Sequence, residues 1–340
     1  MKINSIQNNK QAFKGYLSNK TFLKGLELIS EHSASFSAGL SFISAVALRP
    51  LAIKSTPNTK KENKDYLSAS SISSGIIKLG IVEAVVLPIE NAVKKIDKNP
   101  NKYLNKETIK NFNQKGEDIA KSKGYKFATQ IIKSGSNILS AIPKSLLTVA
   151  LIPVVVDKLF KNKKENKKEE KKEEKKVLSF KGSLNDRLAK GIGDILNNKK
   201  LQDFANSNIS KSTDIARNMS IATDILLAGG YIAKTKTSKK IEENKKNVLI
   251  ANEVLSTGIC LTAGVGIDKL AKKGSKNFID KFIKENKDNP KLLKYIEGIN
   301  IARPALIFAS IYYGILPIFS TYFADKTENI NNCAKFAQKK

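Results

Sequence analysis

Six long apolar runs punctuate the chain, at 33–53, 67–93, 134–156, 218–233, 248–270 and 299–324. They are too long for strands, show little period-two alternation and sit in a background rich in Ala, Leu, Lys and Glu, so the pattern predicts helices and an all-α multi-helix bundle. Pro50, Pro88, Pro153, Pro317 and the Gly229-Gly230 pair fall inside runs, where they kink or end a helix. Membrane helices tolerate such residues better than soluble ones. Shorter amphipathic stretches lie between: Leu184, Leu188, Ile192 and Ile195 recur at helical spacing, and Phe278, Ile279, Phe282 and Ile283 form a stripe flanked by Lys276, Lys281 and Lys284. Such helices either lie on an anionic bilayer or pack on their own protein behind a solvated lysine face.

Residues 161–176 read KNKKENKKEEKKEEKK, without one apolar side chain, so this stretch is a linker that joins no core. Motifs recur in order on either side of it. Phe13-Lys14-Gly15 returns as Phe180-Lys181-Gly182, Lys24-Gly25 as Lys190-Gly191, Glu62-Asn63-Lys64 as Glu243-Asn244-Lys245, and Asn99-Pro100 as Asn289-Pro290. The organisation expected is therefore a first three-helix repeat over 1–160, the charged linker, and a second three-helix repeat over 177–340.

The bilayer core asks for about 20 mainly apolar residues per span. The stretch 304–324 meets that with no charge; 33–48 is uncharged but serine-rich, and 134–156 is interrupted once, by Lys144. The run 67–93 is marginal, because about a dozen Ile, Leu and Val at roughly −0.3 to −0.6 kcal/mol each offset Lys78 and Glu83 at about 2.5–3.5 kcal/mol apiece. Asp224 burdens 218–233, and Asn252 and Glu253 burden 248–270, so either four or six helices insert. Lysine is frequent in every connection, so the positive-inside rule gives no orientation. Residues 1–20 carry no apolar core before Phe22, which predicts no secretory leader.

Charge and composition then narrow the chemistry. The 340 residues carry 60 Lys+Arg against 31 Asp+Glu, a net charge of +29, with 41% hydrophobic residues, too apolar for a disordered polycation. Only Arg49, Arg187, Arg217 and Arg303 are arginines. Base-edge and bidentate phosphate recognition favours Arg, so the lysine excess counts little toward a nucleic-acid partner, while attraction to an anionic surface remains; the partner expected is the lipid bilayer with its anionic headgroups. One His, two Cys and no Trp leave little material for zinc, haem, His-based triads or disulfide frameworks, and no metal or cofactor is expected. There is no GxxxxGK[ST], GxSxG or HExxH; Gly191-Ile192-Gly193 and Gly264-Val265-Gly266 are fragments of a phosphate loop without its third glycine. A non-enzymatic protein is expected.

Ionisable residues inside spans are functional candidates, since they are costly unless paired or facing water. Arg49, Lys78, Glu83 and Asp224 head the set, with Glu90, Lys144 and Glu253 behind them. Glu83 and Glu90, seven apart, share a face of a regular helix, and Arg49 on the preceding helix is placed to oppose them. Their roles are transport or gating on one reading, structural pairing or snorkelling on the other. His32 is expected at an interface, Cys260 inert in an apolar run, and Cys333 near the lysine-rich tail.

With its Phe-Lys-Gly start, Leu48-Arg49-Pro50 and Ala302-Arg303-Pro304, the chain resembles uncharacterised bacterial membrane proteins with an FKG-type N-terminus. That resemblance implies a bacterial cell membrane and no particular activity. Mitochondrial carriers share the proline spacing, but Val93 stands where their Pro-x-Asp/Glu-x-x-Lys/Arg motif needs a basic residue after Pro88-Ile89-Glu90. The expectation is an integral membrane protein with a transport, permeation or scaffold role. The alternative is a cytoplasmic or peripheral lysine-rich helical protein that binds acidic partners.

Overall fold

The computed structural model describes residues 17–31, 33–112, 119–161 and 182–337, and the chain is all-α over them. In order the helices are α1 (Lys20–Glu31), α2 (Ser33–Ile43), α3 (Arg49–Ser55), α4 (Lys61–Ile81), α5 (Leu87–Lys98), α6 (Pro100–Tyr103), α7 (Lys106–Phe112), α8 (Lys123–Val155), α9 (Gly182–Leu196), α10 (Lys199–Ser207), α11 (Ser212–Thr237), α12 (Glu243–Glu285), α13 (Leu292–Ala309) and α14 (Leu316–Ala337). Most of the 161–176 linker, both Phe-Lys-Gly motifs up to Lys181, and His32 lie outside the described residues.

Local chemistry sets the helix ends. Asn19 Oδ1 accepts from the Thr21 and Phe22 amides ahead of α1, Ser122 Oγ from the Tyr125 amide at α8, and Asn198 Oδ1 from the Lys200 amide at α10. The turn between α3 and α4 runs through Asn58 at φ 49°, a left-handed conformation that Asn tolerates.

Four π-helical segments interrupt the long helices, at Ser44–Leu48, Val82–Val86, Val156–Lys161 and Ser310–Ile315. Three of them run directly into a helix with proline at its second position: Arg49-Pro50, Leu87-Pro88 and Leu316-Pro317. Proline has no N–H, and its ring crowds the carbonyl four residues back; a one-residue widening relieves the clash. The amides just before the prolines accordingly bond five residues back, Arg49 to the Ser44 carbonyl and Leu87 to that of Val82.

The chain divides into two compact units, residues 1–75 with 254–340, and residues 76–253. In the first, α13 packs on α1 and α2, and α14 packs on α3. Its α4 portion is largely covered, with Asn63, Tyr66, Leu67, Ser68, Ala69, Ser71, Ile72, Ser73 and Gly75 buried. At the end where α1 meets α13, Leu17, Leu23, Leu26, Phe282, Tyr295 and Ile299 form a cluster. A Cβ on Gly298 would strike the Leu26 carbonyl there.

In the second unit, α8 pairs along its length with α11, and α9 packs on α5. Gly230 lets α11 approach Ser145 of α8 closely. An apolar core of the soluble kind, including Ile96, Phe112, Tyr125, Phe127, Ile192 and Leu196, joins α5, α7, α9, α10 and the start of α8. Gln202 seals it, donating to Thr108 Oγ1 and the Leu196 carbonyl and accepting from Asn111 Nδ2, each at 2.9 Å. Both amphipathic stripes read from the sequence are largely spent on protein: Ile192 and Phe282 are buried and Leu188, Phe278 and Ile279 pack beside them, while Ile195 and Ile283 stay exposed.

Candidate functional site

Four helical stretches are long and apolar enough to cross a membrane: Phe36–Ser55, Lys61–Lys98, Lys123–Lys161 and Leu292–Thr327. The runs at 218–233 and 248–270 fall on α11 and α12, which do not belong to that set. Only 22 to 33% of the most apolar window of each is buried by protein. What covers the remainder follows from which side chains point inward.

The first unit buries polar side chains beside apolar ones such as Ile53, Leu67 and Phe282, and leaves other large apolar side chains exposed. Leu51, Ile43, Phe319, Ile315 and Phe323 are more than half exposed, whereas Ser44, Ser68, Ser73, Ser256, Ser320, Thr321 and Asp325 are at most 3% exposed. Small residues sit at the helix contacts: Ala45, Ala69 and Ala324 are fully covered, and a Cβ on Gly75 would lie 3.0 Å from that of Ala45. Close backbone approach at small residues and interhelical hydrogen bonds are features by which helices associate in hydrocarbon.

Within that interior Arg49 is 8% exposed. Its Nη2 donates to Ser256 Oγ at 3.3 Å, and its guanidinium lies 5.1 Å from the centre of the Tyr312 ring. Four residues away in the same stretch, Ser71 Oγ donates to the Ala45 carbonyl at 2.7 Å. That oxygen would bond the residue-50 amide in the π register, and Pro50 has none. Towards the other end Asp325 accepts from Asn63 Nδ2 at 2.8 Å and from the Lys60 amide at 3.1 Å, so a carboxylate from α14 caps the start of α4. The hydroxyls of Ser68, Ser73, Ser320 and Thr321 are buried without a hydrogen-bond partner.

Three charged groups meet in the second unit. Lys78, Lys144 on α8 and Asp224 on α11 lie within electrostatic reach of one another. Glu83 is exposed, and the π segment that contains it adds a residue to the turn. The helix face after it is rotated by about 100°, so the seven-residue spacing no longer aligns Glu83 with Glu90. Outside the spans, Asp186 of α9 takes Lys95 Nζ and the Tyr103 hydroxyl on one oxygen, both at 2.9 Å, and Lys102 Nζ lies 3.7 Å from the other. Lys95 first, then Tyr103, hold the Asp186 carboxyl below its usual range; Tyr103 and Asp186 raise Lys102.

Of the four residues the sequence put first, Arg49, Lys78, Glu83 and Asp224, only Lys78 and Asp224 come together, joined by Lys144 from the set behind them, while Arg49 is buried in the first unit and Glu83 is exposed. The sequence did not single out Ser71, Ser256, Tyr312 or the Asn63–Asp325 pair. The available signal was the serine cluster Ser68, Ser70, Ser71, Ser73 and Ser74 inside an apolar run. Cys260 is half-buried on α12, and the Cys333 side chain lies outside the described residues. Among the described residues no group of three His, Cys, Asp or Glu side chains is arranged to hold a metal ion. Comparison with protein-family models, curated proteins and solved structures returned no match.

Proposed function

We propose that this chain is an integral protein of a bacterial cell membrane that acts without catalysis, and that a small polar solute or ion moves through the interior of its first unit. The observation that carries the membrane reading is the exposure of Ile43, Leu51, Ile315, Phe319 and Phe323 along stretches long and apolar enough to cross a membrane, with Ser, Thr, Arg49 and Asp325 among the side chains buried between them. The buried, unpartnered hydroxyls of Ser68, Ser73, Ser320 and Thr321 favour permeation over a scaffold. Each costs about 1–3 kcal/mol in this closed packing, where water does not reach it, so permeation requires the helices to part there and let water or a solute take the place of the missing partner. The lysine-rich connections face anionic headgroups in this reading.

Duplication belongs to the same proposal, and the parallel make-up of the two units supports it. In each unit an amphipathic helix from one sequence half, α1 or α9, packs where the second long helix of the other half passes into its third. A lysine just beyond each Asn-Pro pairs with an acid on that amphipathic helix: Lys291 with Glu27 at 2.7 Å, Lys102 with Asp186.

Alkaline carbonate extraction of membranes from cells making the untagged chain tests the location. Retention in the pellet, with release by detergent, is the expected result. Release by carbonate alone refutes insertion and leaves the peripheral lysine-rich reading, whose binding should fall steeply with salt. Vesicles reconstituted with the chain and challenged with glycerol, urea or potassium chloride test the role by light scattering. Flux of at least one probe above protein-free vesicles, slowed by Ser73→Ala with Thr321→Val at unchanged abundance, is expected. No flux of any probe would leave a scaffold.

A further inference from the structure

A cavity of about 470 Å³ opens within the first unit between α2, α12, α13 and the π segment that follows α13. Leu40, Ile259, Ile267, Phe308 and Ile311 form much of its wall, and no charged side chain lines it. The cavity follows one helical stretch from Pro304 to Leu316, about 18 Å at 1.5 Å per residue, so it is elongated. Arg303 directly precedes Pro304, the first wall residue on α13, and is not itself part of the wall. Its Nη1 donates to Ser275 Oγ at 2.7 Å, while its Nε is buried with no acceptor. The uncharged run from 304 to 324 covers about 31 Å of helix, close to the hydrocarbon thickness. If 304–324 is the part that spans, Arg303 falls at the level of the lipid phosphates.

We propose that this groove binds one anionic glycerophospholipid, an acyl chain lying along the apolar wall and the phosphate held by Arg303. The inference rests on the membrane reading above. A long apolar slot selects a chain rather than a compact solute, and charge complementarity at its mouth selects a phosphate. A guanidinium has five N–H donors, and the hydrogen bond to Ser275 uses one nitrogen, which fixes the side chain and leaves donors for a bidentate phosphate. An exposed net negative headgroup gains further from the lysines at 273 and 276 beside Ser275.

The test uses the full chain, purified in mild detergent, with phosphatidylglycerol and phosphatidylcholine of identical acyl chains. Native mass spectrometry should show one retained phosphatidylglycerol preferred by about tenfold, the worth of one charge-assisted contact. Arg303→Gln should bring the two lipids to parity, and Ala263→Phe, which fills the groove, should remove both. Because either variant can disturb folding, a measurement with Arg303 intact accompanies them. In the Cys333→Ser chain, Cys260 lines the groove, and phosphatidylglycerol should slow its modification by N-ethylmaleimide several-fold more than phosphatidylcholine does. Equal retention of the two lipids, an unchanged preference in Arg303→Gln, or lipid-independent labelling of Cys260 would each overturn the proposal. If carbonate releases the chain, the membrane reading itself falls; if the chain stays in the pellet without lipid preference, only the lipid site does.

Discussion

Replacing Ser71 by Ala should destabilise the first unit by about 1–3 kcal/mol, and replacing Pro50 by Ala should cancel most of that loss. Ser71 is buried and gives its hydroxyl to the Ala45 carbonyl at 2.7 Å. The amide of Arg49 is already committed to Ser44, and residue 50, the donor that the π register would supply to Ala45, is proline. Ser71→Ala thus leaves a covered backbone acceptor without its donor, and the cost is the desolvation penalty of that group rather than the smaller net value of an average hydrogen bond. Pro50→Ala restores an N–H in the right place, so in that background the hydroxyl becomes redundant and its removal should cost less than about 0.5 kcal/mol. The assay is a double-mutant cycle on reversible unfolding in mixed detergent micelles, with a coupling energy of at least about 1 kcal/mol expected between two residues 21 apart in sequence. If Ser71→Ala costs the same in both backgrounds, within the 0.3–0.5 kcal/mol expected for independent sites, the proline does not orphan that carbonyl and the account of the π segment is wrong.

Two further outcomes follow from the same reasoning. Gly298→Ala should destabilise by about 1–3 kcal/mol, because its Cβ meets the Leu26 carbonyl, whereas Gly25→Ala on the facing helix has open space and should gain up to about 1 kcal/mol of helix propensity; thermal unfolding of the two variants should move in opposite directions. Asp186 has its folded pKa lowered, so its contribution is present above the unfolded value near 3.9 and is lost as pH falls through the lower folded value. Wild type should therefore lose stability on acidification below about pH 4 more steeply than Asp186→Asn, and parallel acid limbs would show that the Lys95–Asp186–Tyr103 cluster has no linkage to folding.

Helix positions were legible in the sequence because they depend on local pattern: the runs at 33–53, 67–93, 134–156 and 299–324 fall on the four stretches capable of crossing a membrane. Proline also carried information, although more than a kink. At Pro50, Pro88 and Pro317 it marks a π segment just upstream, and that segment displaced the Glu83–Glu90 alignment that regular spacing predicts. Partners were not legible. Arg49 meets Ser256 and Tyr312, more than 200 residues away, and no periodicity on its own helix points to them.

The inward face of each span was hidden for a different reason. In an amphipathic helix the buried stripe is the apolar one, so periodicity reveals it; in the first unit Leu51, Ile315 and Phe319 are exposed while Ser44, Ser68, Ser73 and Thr321 are buried alongside Ile53, Leu67 and Leu316, so apolarity alone does not mark the inward face. Serine counts against 33–48, and Lys78 with Glu83 against 67–93, yet Ser44, Ser68, Ser71 and Ser73 are all buried among helices and Ser71 satisfies a carbonyl beside a proline. A hydroxyl in such a place is a cost only if the helix is taken alone. Once the neighbouring helix supplies an exposed carbonyl, as Ala45 does for Ser71, the same serine fixes the depth at which the two helices meet, and sliding either helix by one turn would break that bond and bury an unpaired carbonyl. Ser71, invisible to an apolar period, therefore ties α4 to the stretch before Pro50 in one register.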